Sequence, residues 1–169
     1  YQIGSISIRV LSFKPIEIDY NFWINRIKQA YQMREAIGLA HTTKNNSFRL
    51  IHGEGDQLPG LIIDVYNHTA VIQAHSIGMH VSRQIIAKAI LEVMNPFIKY
   101  IYYTSETTLP NKTDLSETSG FLTEPTSDFI AIENGLKFNV DYLKGQKTGF
   151  FIDKRENRAL LEKYAKNRN

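Results

Sequence analysis

Gly145-Gln146-Lys147-Thr148-Gly149 combines the groups best suited to chemistry in this chain. Two glycines permit close backbone approach, Thr148 offers a hydroxyl, and Lys147 places a point charge at a turn. The run invites comparison with a phosphate-binding loop. However, Gln146 separates Gly145 from Lys147, and no glycine stands five residues before a Gly-Lys-Thr unit. A plain connecting turn and a loop that meets a small molecule are both open on these residues alone. Asp153-Lys154-Arg155-Glu156-Asn157-Arg158 follows at once. A carboxylate at a helix start, with Arg155 and Arg158 three residues apart on one side, suits an anion or a polar small molecule. It equally suits an N-cap followed by a solvated first turn.

Other chemistry-bearing residues are more scattered. Glu54 and Asp56 sit in a glycine-rich turn, where paired carboxylates could do acid–base work but surface turn chemistry is the expected role. His41, His52, His68, His75 and His80 lack ligand spacing: His75 and His80 are five apart, where a helical pair needs three or four. No metal site is expected. Trp23, Tyr31, Tyr100, Tyr102 and Tyr103 could stack on bases, although Trp23 and Tyr31 also fit a helix core. Arg26, Lys28, Arg34 and Arg49 are the candidate cations for RNA phosphates.

The bulk properties narrow the classes. The chain has 169 residues, 43% of them apolar and 22% charged, with a net charge of +3 and a pI near 9.0. This is ordinary for a soluble globular protein and only mildly attractive to phosphate. There are no cysteines, which removes disulfides, thiolate metal sites and a cysteine nucleophile from these residues and fits a reducing cytoplasm. The longest apolar runs are too short to cross a bilayer, and no signal-peptide pattern opens the chain. No membrane role is expected.

Residues 2–12 alternate apolar and polar, with Ile6, Ile8 and Val10 on one face, and predict a strand. A strand that opens the chain without an earlier partner is what a cut through a preceding domain would leave. Asp19 predicts the cap of a helix carrying Trp23, Ile27, Ala30, Tyr31 and Ile37 at helical spacing, with Arg26, Lys28 and Arg34 mostly elsewhere around it and Gly38 ending it. A polar linker, 41–47, precedes strands at 48–52, 61–66 and 70–75, a helix over 79–94 with Val81, Ile85, Ala89 and Val93 in register, and a strand over 97–103. Asn95-Pro96 stops the helix. Residues 104–127 are polar and weakly periodic, which predicts a long loop. Strands at 130–133 and 136–142 form a hairpin around Asn134-Gly135, and Asp153 caps a last helix to about residue 166. The fold class is α+β (mixed α/β): a five- or six-stranded mixed sheet, a connector helix before it, and a hairpin-plus-helix arm after it.

Two of these segments carry a family resemblance. His52-Gly53-Glu54-Gly55-Asp56-Gln57-Leu58-Pro59-Gly60-Leu61-Ile62-Ile63-Asp64 resembles an "EGD-LPGL-VD" signature. Gly145–Asp153 with Arg155, Asn157 and Arg158 resembles a "G-KTG-F-D-R-NR" signature. Both belong to the large-subunit rRNA cytosine-5 methyltransferases that use S-adenosylmethionine, and their close relatives. The resemblance implies a three-part parent: a PUA-like RNA-binding barrel (remnant at 1–13), a connector (14–47) leading to a central RNA-facing α/β module (48–129), and a Rossmann-like methyltransferase domain of which 130–169 is the entry. It implies Lys147, Thr148, Phe150, Asp153, Arg155 and Arg158 at the rim of the S-adenosylmethionine pocket, ribosomal RNA as the partner, and a cytoplasmic location. It also implies that the cofactor's glycine-rich loop and a nucleophilic cysteine come later, so that this segment alone is inactive. Residues 103–121 depart from the pattern, with Lys112 set against Glu106, Asp114 and Glu117 where relatives carry several basic residues. A non-catalytic RNA-binding or ribosome-assembly module, and a protein-interaction domain on the same scaffold, are the alternatives. The arm after residue 129 is expected to be mobile, or covered by homodimerisation over Phe138, Val140, Phe150 and Phe151.

Overall fold

The structure, a computed structural model, describes residues 6, 8–40, 42–109 and 115–165. Its element order is α1 (Tyr20–Ala36), β1 (Ser47–His52), β2 (Leu61–Tyr66), β3 (Thr69–Ala74), α2 (Ile77–Val81), α3 (Arg83–Val93), β4 (Tyr100–Thr104), β5 (Ser119–Phe121), β6 (Ile130–Glu133), β7 (Leu136–Asn139) and α4 (Arg155–Ala165). Strands β1 to β5 form one sheet in sequential order, antiparallel except for β3–β4, which run parallel because α2 and α3 carry the chain back across the sheet. Strands β6 and β7 pair separately. The α+β class expected from the sequence is the one found.

Strand alternation builds two cores from one sheet. Leu61, Ile63 and Val65 of β2, with Phe48, Ala70, Ile72, Ile101 and Tyr103, bury one face against α1 and α3. From α1 come Trp23, Ile27, Ala30 and Tyr31, and from α3 come Ile86, Ala89 and Ile90. The opposite face presents Tyr66, Val71 and Tyr102, which pack against Ala131, Val140 and Tyr142 of the C-terminal arm. Phe138 and Phe150 pack on this second core, and Val140 is buried; of the four apolar residues that homodimerisation was expected to cover, Phe151 alone is exposed. The arm therefore has a core of its own to sit on.

Several local expectations are met. The Asp19 carboxylate accepts the Phe22 amide at 2.8 Å and caps α1. Gly38, at φ +70°, follows its end. Asn134 and Gly135, both at positive φ, turn the β6–β7 hairpin. Others are corrected. Ile6, Ile8 and Val10 belong to no strand and are more than half exposed, because no described strand runs alongside to supply a hydrogen-bonded edge; residues 2–5 and 7 of that expected strand lie outside the described residues. Ile37 is 63% exposed.

The helix expected over 79–94 is two helices broken at Ser82. An i, i+4 series drifts by about 40° per step around a straight helix, so Val81, Ile85, Ala89 and Val93 do not share one face. Val81 is exposed, and Ile86, Ala87, Ala89 and Ile90 are the buried positions. The strand expected from 97 begins at Tyr100, since the Phe97 and Ile98 amides donate to the Met94 carbonyl at 2.7 and 3.1 Å in the turn that ends the helix. Inside the supposed loop, β5 pairs with β4, where the Tyr102 and Phe121 rings meet edge-on at 5.0 Å. Three residues centred on Gly120 carry no alternation to read. Residues 110–114, including Lys112 and Asp114, lie outside the described residues.

Trp23, the sole tryptophan, is 2% exposed and serves as a reporter of this core. Replacing the fully buried Ile63 by alanine should cost about 2–5 kcal/mol. Urea unfolding followed by Trp23 emission should show that loss as an earlier midpoint with an unchanged slope.

Candidate functional site

The run Leu61–Tyr66 is apolar except for Asp64, which alternation places on the sheet face away from α1 and α3. The Asp64 side chain is wholly buried. Its cross-strand partner in register is Arg49 of β1, which donates Nε to Oδ1 at 2.8 Å and Nη2 to Oδ2 at 3.0 Å. A buried carboxylate is stable only when its lone pairs are met, and the planar guanidinium meets two at once. Thr148 supplies a third bond, donating Oγ1 to Asp64 Oδ2 at 2.6 Å, and its oxygen lies 2.9 Å from the Tyr66 hydroxyl. Thr148 spends its single proton on Asp64, so the proton in the second contact comes from Tyr66. Burial, and then the Asp64 charge, push the Tyr66 phenol above its ordinary pKa, which keeps that proton in place.

This chain of bonds pins the glycine turn to the sheet. The turn closes with Gly145 N donating to Asp141 O at 2.8 Å and Gly149 N to Gln146 O at 2.9 Å. A Cβ on Gly145 would sit 2.2 Å from the Asp141 oxygen, and one on Gly149 would sit 2.7 Å from the Tyr142 Cα. Both glycines are thus required by the close approach of two backbone segments. Lys147 occupies the left-handed region at φ +55° and turns outward, with its Nζ 4.5 Å from the Phe151 ring centroid.

A second buried carboxylate anchors the helix that follows. Glu133, 2% exposed, accepts Arg158 Nε and Nη2 at 2.6 and 2.7 Å and Arg155 Nε at 3.2 Å. Arg155 also donates to the Ser47 carbonyl. Burial alone would raise the Glu133 pKa, but the hydrogen bonds and charges of Arg158 and Arg155 outweigh it and hold the carboxyl below its ordinary value. The Arg158 guanidinium lies 4.3 Å from the Phe150 ring centroid, and Phe150 is 5.2 Å from Phe138. Asp153 does not head this helix as a cap. It lies in the short 3-10 turn Ile152–Lys154, more than half exposed, 3.8 Å from the Lys154 ammonium.

The structure therefore brings Lys147, Thr148, Phe150, Asp153, Arg155 and Arg158 into one neighbourhood but gives them different duties. Thr148, Arg155 and Arg158 are committed to buried carboxylates, and Phe150 lies beneath Arg158. Lys147 and Asp153 remain presented at the surface. Among the candidate RNA cations, Arg49 is committed to Asp64, and Arg34 is largely buried against Asp56, bonding at 2.8 Å through Nη2, and against the Arg49 carbonyl. Asp56 is accordingly no surface turn residue: its side chain is 4% exposed and also accepts the His52 amide at 2.6 Å. Lys28 is exposed, and Arg26 bonds the neutral Gln57 side chain and Leu11 carbonyl. Trp23, Tyr31, Tyr102 and Tyr103 are buried, so they are not available to stack on bases. His80 is buried with Nδ1 2.8 Å from the Tyr103 hydroxyl. Sequence reasoning missed Asp64, Tyr66 and Glu133 as organisers. For Asp64 a signal existed, since one carboxylate inside an apolar strand must be paired if it is buried.

No protein-family model matches the chain. It is similar to curated proteins named "Ribosomal RNA large subunit methyltransferase I". Identity is 38% to that of Tolumonas auensis over 98% of this chain, 37% to that of Alteromonas mediterranea over 96%, and 34% to that of Vibrio parahaemolyticus over 98%. The chain spans 42%, 41% and 41% of the length of these relatives. Two solved structures share the fold. One, from Streptococcus mutans, is described as a SAM-dependent methyltransferase (TM-score 0.73, 24% identity), and the other as a methyltransferase complexed with SAH (TM-score 0.74, 23% identity). Each covers 90% of this chain, which in turn covers 38% and 37% of them.

Thr148→Val keeps the shape but removes one hydrogen bond from the buried Asp64 and leaves the Tyr66 hydroxyl only its longer contact, 3.3 Å, to the Phe150 carbonyl, at a cost of about 1–3 kcal/mol in thermal or urea unfolding. Glu133 predicts a pH dependence. Its folded pKa lies below the ordinary 4.5, so its stabilisation is complete above about pH 4.5 and is lost as pH falls through the lower folded value. Denaturation midpoints of the parent should therefore drop on acidification through that window. Glu133→Gln should be less stable near neutrality and should lose that part of the acid dependence.

Proposed function

We propose that this chain is the front portion of an S-adenosylmethionine-dependent methyltransferase that modifies cytosine C5 in large-subunit rRNA. The observation that carries the proposal is the similarity of 96–98% of the chain to the rRNA large subunit methyltransferases, at 34–38% identity. The clamped glycine turn supports it, because a segment held this firmly presents Lys147 and Asp153 with little conformational freedom left to lose on binding. In this proposal residues 1–13 belong to a PUA-like barrel, 14–47 to a connector, 48–129 to the RNA-facing module and 130–169 to the entry of the catalytic domain.

The donor set fits the polar ends of the cofactor. The Lys147 ammonium suits its carboxylate, and the Asp153 carboxylate suits its ammonium or ribose hydroxyls. When bound, S-adenosylmethionine supplies an electrophilic methyl group. Thr148, Phe150, Arg155 and Arg158 act at one remove by holding the turn and helix that carry Lys147 and Asp153. Cytosine C5 becomes nucleophilic once a thiolate adds at C6. This chain holds no cysteine, so in the proposal that thiolate lies elsewhere in the parent and the segment alone is inactive.

Calorimetry of the full-length parent with S-adenosylmethionine is the test. Saturable one-to-one binding is expected, weakened about tenfold, or about 1.4 kcal/mol, by either Lys147→Ala or Asp153→Ala with unchanged thermal melts. A flat titration of the folded parent would overturn the proposal. Nucleoside analysis of large-subunit rRNA from cells lacking the gene should show the loss of one 5-methylcytidine.

A further inference from the structure

The described arginines divide into two groups. Arg34, Arg49, Arg83, Arg155 and Arg158 each bond a carboxylate: Asp56, Asp64, Glu117 and, for the last two, Glu133. Among the described residues, Arg9 and Arg26 have no carboxylate partner, and both line one groove of about 600 Å³ between residues 8–14 and the turn that carries Glu54 and Pro59. We propose that this groove is a phosphate-binding channel for single-stranded RNA, in which Arg9 and Arg26 engage backbone phosphates.

Three features support the assignment. The first is an unmet donor: Arg9 Nε is buried and without a hydrogen-bond partner. An ionised group held in that state is costly, and a phosphate oxygen is the kind of acceptor that relieves it. Arg9 is also set close to the backbone, because a Cβ on Gly60 would lie 3.1 Å from its Nε; the glycine keeps this space open.

The second is charge. Arg9, Lys14 and Arg26 face the groove against a single carboxylate, Glu54. Arg26 is oriented by neutral partners, the Gln57 side chain and the Leu11 carbonyl, and forms no ion pair among the described residues. The charge of Arg9 reaches His75, whose pKa is lowered by desolvation and by Arg9 and Arg49, against an opposing pull from Glu54. A groove with this excess attracts a polyanion, and planar guanidinium forks match phosphate geometry.

The third is shape and lining. Ile8 and Pro59 add apolar surface beside the cations, which suits the sugars and base faces of an unpaired strand better than a compact inorganic anion. The channel lies at the turn before β2 and is built from residues distinct from Lys147 and Asp153. It deepens the RNA-methyltransferase proposal by naming where the nucleic acid is gripped, and it rests on that proposal for the choice of RNA over another polyanion.

The test uses this chain and a fluorescein-labelled oligouridylate, with anisotropy measured across a salt series. The parent should bind. Arg9→Gln with Arg26→Gln should weaken binding about tenfold or more and flatten the log K against log salt slope by about 1.4, the share of two phosphate contacts on a single strand. Lys137→Gln, on the exposed β7 strand, should change nothing. Arg26 also steadies the chain at Leu11, so Glu54→Gln is measured beside it: removing the lone carboxylate disturbs no bonded partner and should tighten binding about two- to threefold. Double-variant affinity within twofold of the parent at equal salt slope would overturn the channel while leaving the cofactor-binding proposal intact. So would no effect of Glu54→Gln, or competition by polyglutamate as effective as by unlabelled RNA, which would mark the groove as a site for an acidic protein. A parent chain that binds no RNA at low salt overturns the channel as well, and calorimetry with S-adenosylmethionine then decides the enzyme proposal separately.

Discussion

Burying the Asp64 carboxylate inside a β-sheet sets the terms for everything around it. A lone ion at that depth would be driven out or neutralised, because the desolvation penalty of a single charge is several kcal/mol even after relaxation. Arg49, directly opposite on β1, answers the charge, and Thr148 takes up a further lone pair from a segment 84 residues later in the chain. The same carboxylate thereby fixes strand pairing in the main sheet and the docking of the C-terminal arm. The arm in turn covers Tyr66, Val71 and Tyr102, so the second core depends on the turn being held, and the turn depends on Asp64.

Glu133 repeats the device at the hairpin. Its two arginines come from the first turn and a half of α4, and one of them reaches the Ser47 carbonyl at the start of β1. Two buried carboxylates, each with a guanidinium and a contact across the layers, therefore tie strand, turn and helix into one arrangement. Such pairs add little net stability compared with apolar residues of similar size, but they penalise every alternative docking that would strand a charge. That directional penalty holds the exposed groups of the segment, Lys147 and Asp153, at set positions relative to the sheet. The shape of the glycine turn follows from the same packing: Asp141 and Tyr142 press so close to Gly145 and Gly149 that no side chain fits at either.

The arginines show how one residue type is put to separate uses. Where a guanidinium meets a carboxylate it serves architecture, as at Arg34, Arg49, Arg155 and Arg158. At Arg26 the bonded partners are neutral, and the buried Nε of Arg9 has none, so in the proposed channel these two charges are left for an external anion. Counting basic residues along the chain does not separate these groups, because separation depends on which acids the fold brings alongside.

The sequence by itself determined what is local or periodic: the Asp19 cap, the helix that carries Trp23, Ile27, Ala30 and Tyr31, the three strands from 48 to 75, the Asn134-Gly135 hairpin and the α+β class. These rest on interactions a few residues long and on alternation that any alignment of the chain must satisfy. It also exposed the glycine turn and its lysine as a special segment. Only the tertiary structure decided what lies far apart in sequence. It broke the second helix at Ser82, recruited Ser119–Phe121 as a fifth strand, and left Ile8 and Val10 without a strand partner among the described residues. Above all it paired Thr148 with the buried Asp64, and Arg155 and Arg158 with the buried Glu133. A carboxylate's partner is chosen by three-dimensional proximity and by the cost of leaving a buried charge unmet, and neither is written in residue spacing.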